Sequence, residues 1–160
     1  MLYQKLMMGS SSSGVGSDVY VIFDNGQHDD GYTNNFAYSS DGGVTWNTVT
    51  LDPNLRIYKI HGAKGNFVIN GRNISTNNNY LLKSTDLINW TDISIPNVSS
   101  INRCSVSCSD TFWIITFQYP NFQQYYSTNF GASWTMFTQS IFNISPAWVN
   151  YSKSLNMWHI

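Results

Sequence analysis

The stretch Ser39-Ser40-Asp41-Gly42-Gly43-Val44-Thr45-Trp46 decides the reading of this chain, because it returns twice. Ser84-Thr85-Asp86-Leu87-Ile88-Asn89-Trp90 and Ser127-Thr128-Asn129-Phe130-Gly131-Ala132-Ser133-Trp134 repeat its beginning and its end, and the three closing tryptophans stand 44 residues apart. A motif that recurs at one period of about 20–50 residues marks a repeat architecture, in which each copy buries its apolar face against its neighbours. A second set of landmarks keeps nearly the same beat: Phe67-Val68-Ile69, Phe112-Trp113-Ile114 and Met157-Trp158-His159 follow one another at 45 residues. Val19-Tyr20-Val21-Ile22-Phe23, after Gly16-Ser17-Asp18, is an earlier and looser copy.

Within one period the composition predicts four short strands. In the second repeat these fall at 56–61, 66–71, 80–84 and 91–95, rich in Ile, Val, Tyr, Phe and Thr and bounded by Asn, Gly, Ser and Asp. No window carries apolar residues at helical spacing. The abundant Asn, Ser and Thr favour turns, because their side chains compete for backbone hydrogen bonds. Four strands in about 45 residues is the size of a β-propeller blade. The fold class expected is therefore all-β, with four-stranded antiparallel blades. About three and a half blades are expected between positions 17 and 160.

The tryptophan motif resembles the Asp-box, Ser-x-Asp-x-Gly-x-x-Trp, of the sialidase-like propellers. In that family the box forms the turn between the third and fourth strands of a blade and is structural. The resemblance places Ser39, Asp41, Gly43 and Trp46 in a full copy. Ser84, Asp86 and Trp90 form a copy one residue short and without the glycine, and Ser127, Asn129, Gly131 and Trp134 one with Asn in place of Asp. The residue types suit a turn: the carboxylate accepts downstream backbone N–H groups, glycine takes a backbone shape others resist, and tryptophan buries a large apolar plate.

The same resemblance raises the question of catalysis. Sialidases use three arginines on the substrate carboxylate, a tyrosine paired with a glutamate, and an aspartate. Here Arg56, Arg72 and Arg103 are the only arginines, none in an Arg-Ile-Pro motif, and all nine acidic residues are aspartates. The Tyr–Glu pair cannot be built from these 160 residues. A general glycosidase needs two carboxylates flanking the scissile bond, and Asp24, Asp29, Asp30, Asp41, Asp52, Asp86 and Asp110 stand mostly in turn contexts. His28, His61 and His159 are scattered. The expectation is no catalytic residue, no metal site and no cofactor.

Net charge is −1 and charged residues make up 11% of the chain, which argues against nucleic acid or an anionic membrane as partner. No apolar run approaches the ~20 residues of a membrane span, and residues 2–8 are too short and polar for a signal-peptide core. Cys104 and Cys108, on one extended strand, would sit ~13 Å apart, beyond a disulfide; a turn between them would leave a bond possible. Reduced thiols are the simpler reading. The sequons at Asn73 and Asn89 carry little weight in so Asn- and Ser-rich a chain.

Segment 1–16 differs from the rest: a short apolar peptide with Leu2, Tyr3, Leu6 and Met7, then a Ser/Gly linker. It reads either as the inner strand of the first blade or as a docking peptide adding to a partner's sheet edge. This opening also resembles the start of some tailed-bacteriophage virion proteins. That resemblance implies a virion protein of the tail or fibre, without a signal peptide, whose N-terminal segment contacts other virion proteins. Because propellers normally close with four or more blades, three arrangements are open. The chain continues in a longer polypeptide, a homo-oligomer completes the ring, or the blades form an open domain.

Propellers bind ligands at the mouth of the central channel. The 45-residue register sets Tyr58, Arg103 and Trp148 at equivalent inner-strand positions, a candidate stacking and hydrogen-bonding surface for a host surface glycan. Tyr32, in the connection 28–35, is a second candidate. The function expected is a non-enzymatic structural or adhesion protein of a phage particle. The alternatives are a fragment of a sialidase-like enzyme and a cellular propeller scaffold of the assembly-factor type.

Overall fold

The computed structural model describes residues 6–8, 19–23, 33–63, 65–93, 95, 104–109, 111–117, 123–137, 150–152 and 157–159. Every regular element among them is a strand. The first sheet comprises β1 (Leu6–Met8), β2 (Val19–Ile22), β3 (Asn35–Ser39) and β4 (Asn47–Thr50). The second comprises β5 (Leu55–Ala63), β6 (Asn66–Asn73), β7 (Asn78–Ser84) and β8 (Thr91–Asp92). The third comprises β9 (Cys104–Cys108), β10 (Trp113–Phe117), β11 (Gln124–Ser127) and β12 (Thr135–Met136), and β13 (Asn150–Ser152) pairs with β14 (Met157–His159). Each sheet is an antiparallel meander in chain order. The first strands neighbour one another in series, β1 beside β5, β5 beside β9 and β9 beside β13. This is the blade arrangement of a β-propeller, three full blades and half of another.

Three strands expected in the second repeat lie inside those observed. The fourth is shorter, Thr91–Asp92 in place of 91–95, because the ladder stops there. The Ile93 N–H still donates to the Leu81 carbonyl at 2.9 Å, so the chain keeps its line past the strand's end. At the N-terminus, Leu6–Met8 pairs with β2 in the register Leu6↔Val21, Met7↔Tyr20. The backbone of Leu6 and Met7 is thus in the inner-strand place of the first blade. Leu2 and Tyr3 lie outside the described residues.

One bulge sets which side chains face which blade. Ile57 pairs with Gly71 and Lys59 with Asn70, so Tyr58 is an extra residue on β5. Paired residues share a face, so the extra residue puts Ile57 and Ile60 together and turns Lys59 and His61 to the other side. Gly71 makes room for the bend: a Cβ there would stand 2.0 Å from the Arg56 carbonyl oxygen and 2.5 Å from the Tyr80 hydroxyl.

The core lies between blades as two apolar layers. Val21, Phe23 and Phe36 of the first blade meet Ile57, Ile60, Phe67, Ile69, Tyr80 and Leu87 of the second. On the opposite face of the second blade, Val68 and Leu81 meet Val106, Cys108, Trp113, Ile115 and Phe117 of the third. Full burial of such a side chain stabilises by about 1.5–3 kcal/mol, so these two seams hold the blades together. Cys104 and Cys108 both lie on β9, and Cys108 is a buried thiol outside any disulfide.

Candidate functional site

The three repeated motifs form the turns β3–β4, β7–β8 and β11–β12, all at one end of their blades. Each starts from a buried serine at a fixed place in its ladder. Ser39 pairs with Tyr20, Ser84 with Phe67 and Ser127 with Trp113. Each serine hydroxyl does two jobs. It donates to the carboxylate or amide oxygen two residues on, at 2.7 Å (Asp41), 2.9 Å (Asp86) and 2.8 Å (Asn129). It also accepts a backbone N–H from inside the turn, from Gly43, Leu87 and Gly131, each at 2.8 Å.

The acidic side chains close the far side. Asp41 Oδ1 accepts the N–H groups of Val44 (3.0 Å) and Thr45 (2.9 Å), and Oδ2 accepts the Thr45 hydroxyl. Asp86 Oδ1 accepts from the N–H groups of Ile88 (2.9 Å) and Asn89 (2.7 Å), and Oδ2 from the Asn89 amide (2.7 Å). These bonds favour the ionised form. The Thr45 hydroxyl and N–H, then Ser39, hold the Asp41 carboxyl well below the usual carboxylate range. The Asn89 N–H and amide, then the Ile88 N–H and Ser84, do the same for Asp86. The residue just before the tryptophan (Thr45, Asn89 or Ser133) therefore belongs to the motif. Its polar character in all three copies was a signal in the sequence that the box pattern did not include.

Left-handed backbone falls where the motif varies. Gly42 and Gly43 have φ of 79° and 94°, and Phe130 and Gly131, at the same places in the third copy, have 55° and 76°. The second copy, one residue shorter, needs a single left-handed residue and uses Leu87 at φ 65°. Leu87 is 2% exposed, so its burial in the seam offsets the ~1–2 kcal/mol that this conformation costs a non-glycine residue. The tryptophans lie back over the turns. Trp46 Nε1 donates to the Gly43 carbonyl at 3.0 Å and Trp90 Nε1 to the Leu87 carbonyl at 3.1 Å, while Trp134 Nε1 is buried with no partner. Trp90 meets Phe36 of the preceding blade edge-on at 5.9 Å, so a box tryptophan also ties one blade to the next.

Of the candidate ligand-binding residues, Tyr58 alone lies among the described residues. Tyr58 is the bulged residue of β5, half-buried. Counted back from the paired hairpin ends, Gly62 with Phe67 and Cys108 with Trp113, Tyr58 stands level with Cys104, one residue after Arg103. Arg103, Trp148 and Tyr32 lie outside the described residues, as do His28, Asp29 and Asp30. No group of three or more His, Cys, Asp or Glu able to hold a metal occurs among the described residues. No helix of the described residues is long and apolar enough to cross a membrane. The sequon asparagines are occupied in turns: Asn73 Oδ1 accepts the Ser75 and Thr76 N–H groups, and the Asn89 amide donates to Asp86.

No protein-family model matches the chain, and no curated protein does. Among solved structures, the chain is similar to one described as YCF48 bound to D1 peptide, a β-propeller, with a TM-score of 0.50 and 14% sequence identity. The match covers 84% of this chain but 42% of that one, so the chain spans less than half the length of the propeller it resembles. At that identity the likeness is one of fold.

Proposed function

We propose that this chain is a non-catalytic propeller module that works by docking, as a structural or adhesion component of a bacteriophage tail or fibre. In this reading its blades present a surface for assembly or for a host glycan, and its N-terminal segment meets neighbouring virion proteins. With Leu6–Met8 paired into the first blade, that contact falls to Leu2 and Tyr3. The resemblance of the N-terminal segment and the Asn-, Ser- and aromatic-rich, charge-poor composition support a virion protein. One observation carries the non-catalytic part. Asp41 and Asp86 spend both carboxylate oxygens inside their own turns, and the chain contains no glutamate to take their place.

A second reading has an observation in its favour. The similar propeller is described as bound to a peptide, which supports a scaffold that holds a peptide segment of a partner during assembly. Immunogold electron microscopy with an antibody to this chain separates the two. Label on the tails of purified particles supports the virion reading. Label confined to host cells, with a cellular protein recovered on the chain, overturns it in favour of the scaffold. Release of sugar from sialosides or other glycosides by the purified chain would overturn both.

A further inference from the structure

The seam between the second and third blades encloses a group that the turns do not explain. His61 of β5 is 8% exposed, and its Nε2 has no hydrogen-bond partner. The ladder places His61 in one cross-strand row with Val68 of β6 and Lys83 of β7, on the face toward the third blade. Lys59, 5% exposed, stands on the same face two residues earlier. Both owe that place to the bulge at Tyr58. Across the seam stand Val106, Cys108, Trp113, Ile115 and Phe117, with Tyr125 packed against them. Among the described residues, the titratable groups facing His61 are therefore Lys59 and Lys83 from its own sheet and Cys108 and Tyr125 from the other. Among the described residues no carboxylate stands on either face, since Asp92 pairs with Leu82 and points the opposite way.

We propose that His61 is an acid-sensitive latch on this seam: neutral, it lets the second and third blades close over it, and protonated, it drives them apart. An imidazolium here would be a buried cation beside the Lys59 ammonium, an arrangement that opening to water relieves. Burial first, and then the charge of Lys59, push the His61 imidazole well below its ordinary range. The sign follows from linkage. The opened seam takes up the proton at about pH 6.5, the closed seam only at much lower pH. The closed state is thus fully favoured above about pH 6.5 and loses about tenfold in its equilibrium for each unit of acidification below it, down to the closed-state value.

Cys108 reports the seam directly, because it is buried in it. In a Cys104→Ser background, its labelling by 4,4′-dithiodipyridine, a reagent that works at acid pH, is timed between pH 7.5 and 4.5. Circular dichroism follows the fold in parallel. The latch predicts a labelling rate that rises by about tenfold per unit below pH 6.5 and a His61→Gln variant in which that rise is lost. An equal rise in His61→Gln, or no rise in either chain, overturns it. Should His61→Gln fail to fold, NMR of the His61 ring in the unsubstituted chain decides. No titration of the closed state between pH 8 and 5.5 is the expected result, and a midpoint near the ordinary value of about 6.5 overturns the latch.

Discussion

The first and third turns use one plan with different chemistry. In the first, Asp41 accepts on both oxygens and Gly42 and Gly43 take the left-handed positions in open space: a Cβ on Gly42 would meet nothing within 4 Å. In the third, Asn129 accepts the Ser133 N–H at 2.9 Å through Oδ1 and donates to the Ser133 hydroxyl at 2.8 Å through Nδ2. Phe130 takes one left-handed position and meets Trp113 edge-on at 6.1 Å, and a Cβ on Gly131 would stand 2.8 Å from Ile93 Cδ1. The turn therefore needs the buried serine and one acceptor two residues on. Charge is optional, and the glycine is required for space as well as for φ only where the turn packs into a seam.

The sharpest way to break this contrast is glycine replacement. Gly131→Ala should lose about 3 kcal/mol, from left-handed strain plus overpacking against Ile93 and Trp113. Gly42→Ala, with strain alone, should lose only about 1 kcal/mol. Urea unfolding measures both, and equal losses would remove the distinction between an open turn and a packed one. Leu87→Gly comes next. It relieves a left-handed leucine yet removes a buried side chain, and burial should win by about 2 kcal/mol. A stabilised variant would mean that Leu87 is tolerated strain rather than part of the core. Ser39→Ala should cost about 1 kcal/mol, because the Gly43 N–H loses its acceptor and Asp41 a donor.

The smallest effect sharpens the comparison. Asn129→Asp rebuilds the acidic form of the turn, with the Ser133 hydroxyl now donating, and should raise Tm by on the order of 2 °C at pH 7. Hydrogen bonds to the ionised form lower the carboxyl's folded-state pKa. The gain is therefore present above about pH 4, the unfolded value, and is lost as the pH falls through the lower folded value. A gain that persisted at pH 2 would not come from the carboxylate.

Much of this fold was legible because its signals are local. Serine, acceptor and tryptophan at fixed spacing form a turn whose hydrogen bonds all close within about six residues, so the pattern survives without any knowledge of partners. What stayed hidden depends on register. Landmarks matched at 45 residues set Phe67 against Phe112, whereas the box serines set Phe67 level with Trp113, one residue further on. In a strand one residue reverses the face. The bulge at Tyr58 has the same consequence on β5: simple alternation puts Ile57 and Lys59 on one side, and the extra residue separates them. That is why Lys59 and His61 face the third blade, on the side of Val68, while Ile57 and Ile60 face the first. The N-terminal segment read equally as a strand or a docking peptide, since three residues carry no period of their own. Its pairing with β2 assigns Leu6–Met8 a place in the first blade.

The central claim is that the box carboxylates are structural groups, held ionised by their own turns. NMR titration of the aspartate side-chain carbons tests it most directly. The account predicts that Asp41 and Asp86 stay ionised well below the ordinary aspartate value of about 3.9, both released only as their turns open. Midpoints for the two near or above that ordinary value would contradict it, and would return both residues to the list of groups free to do chemistry.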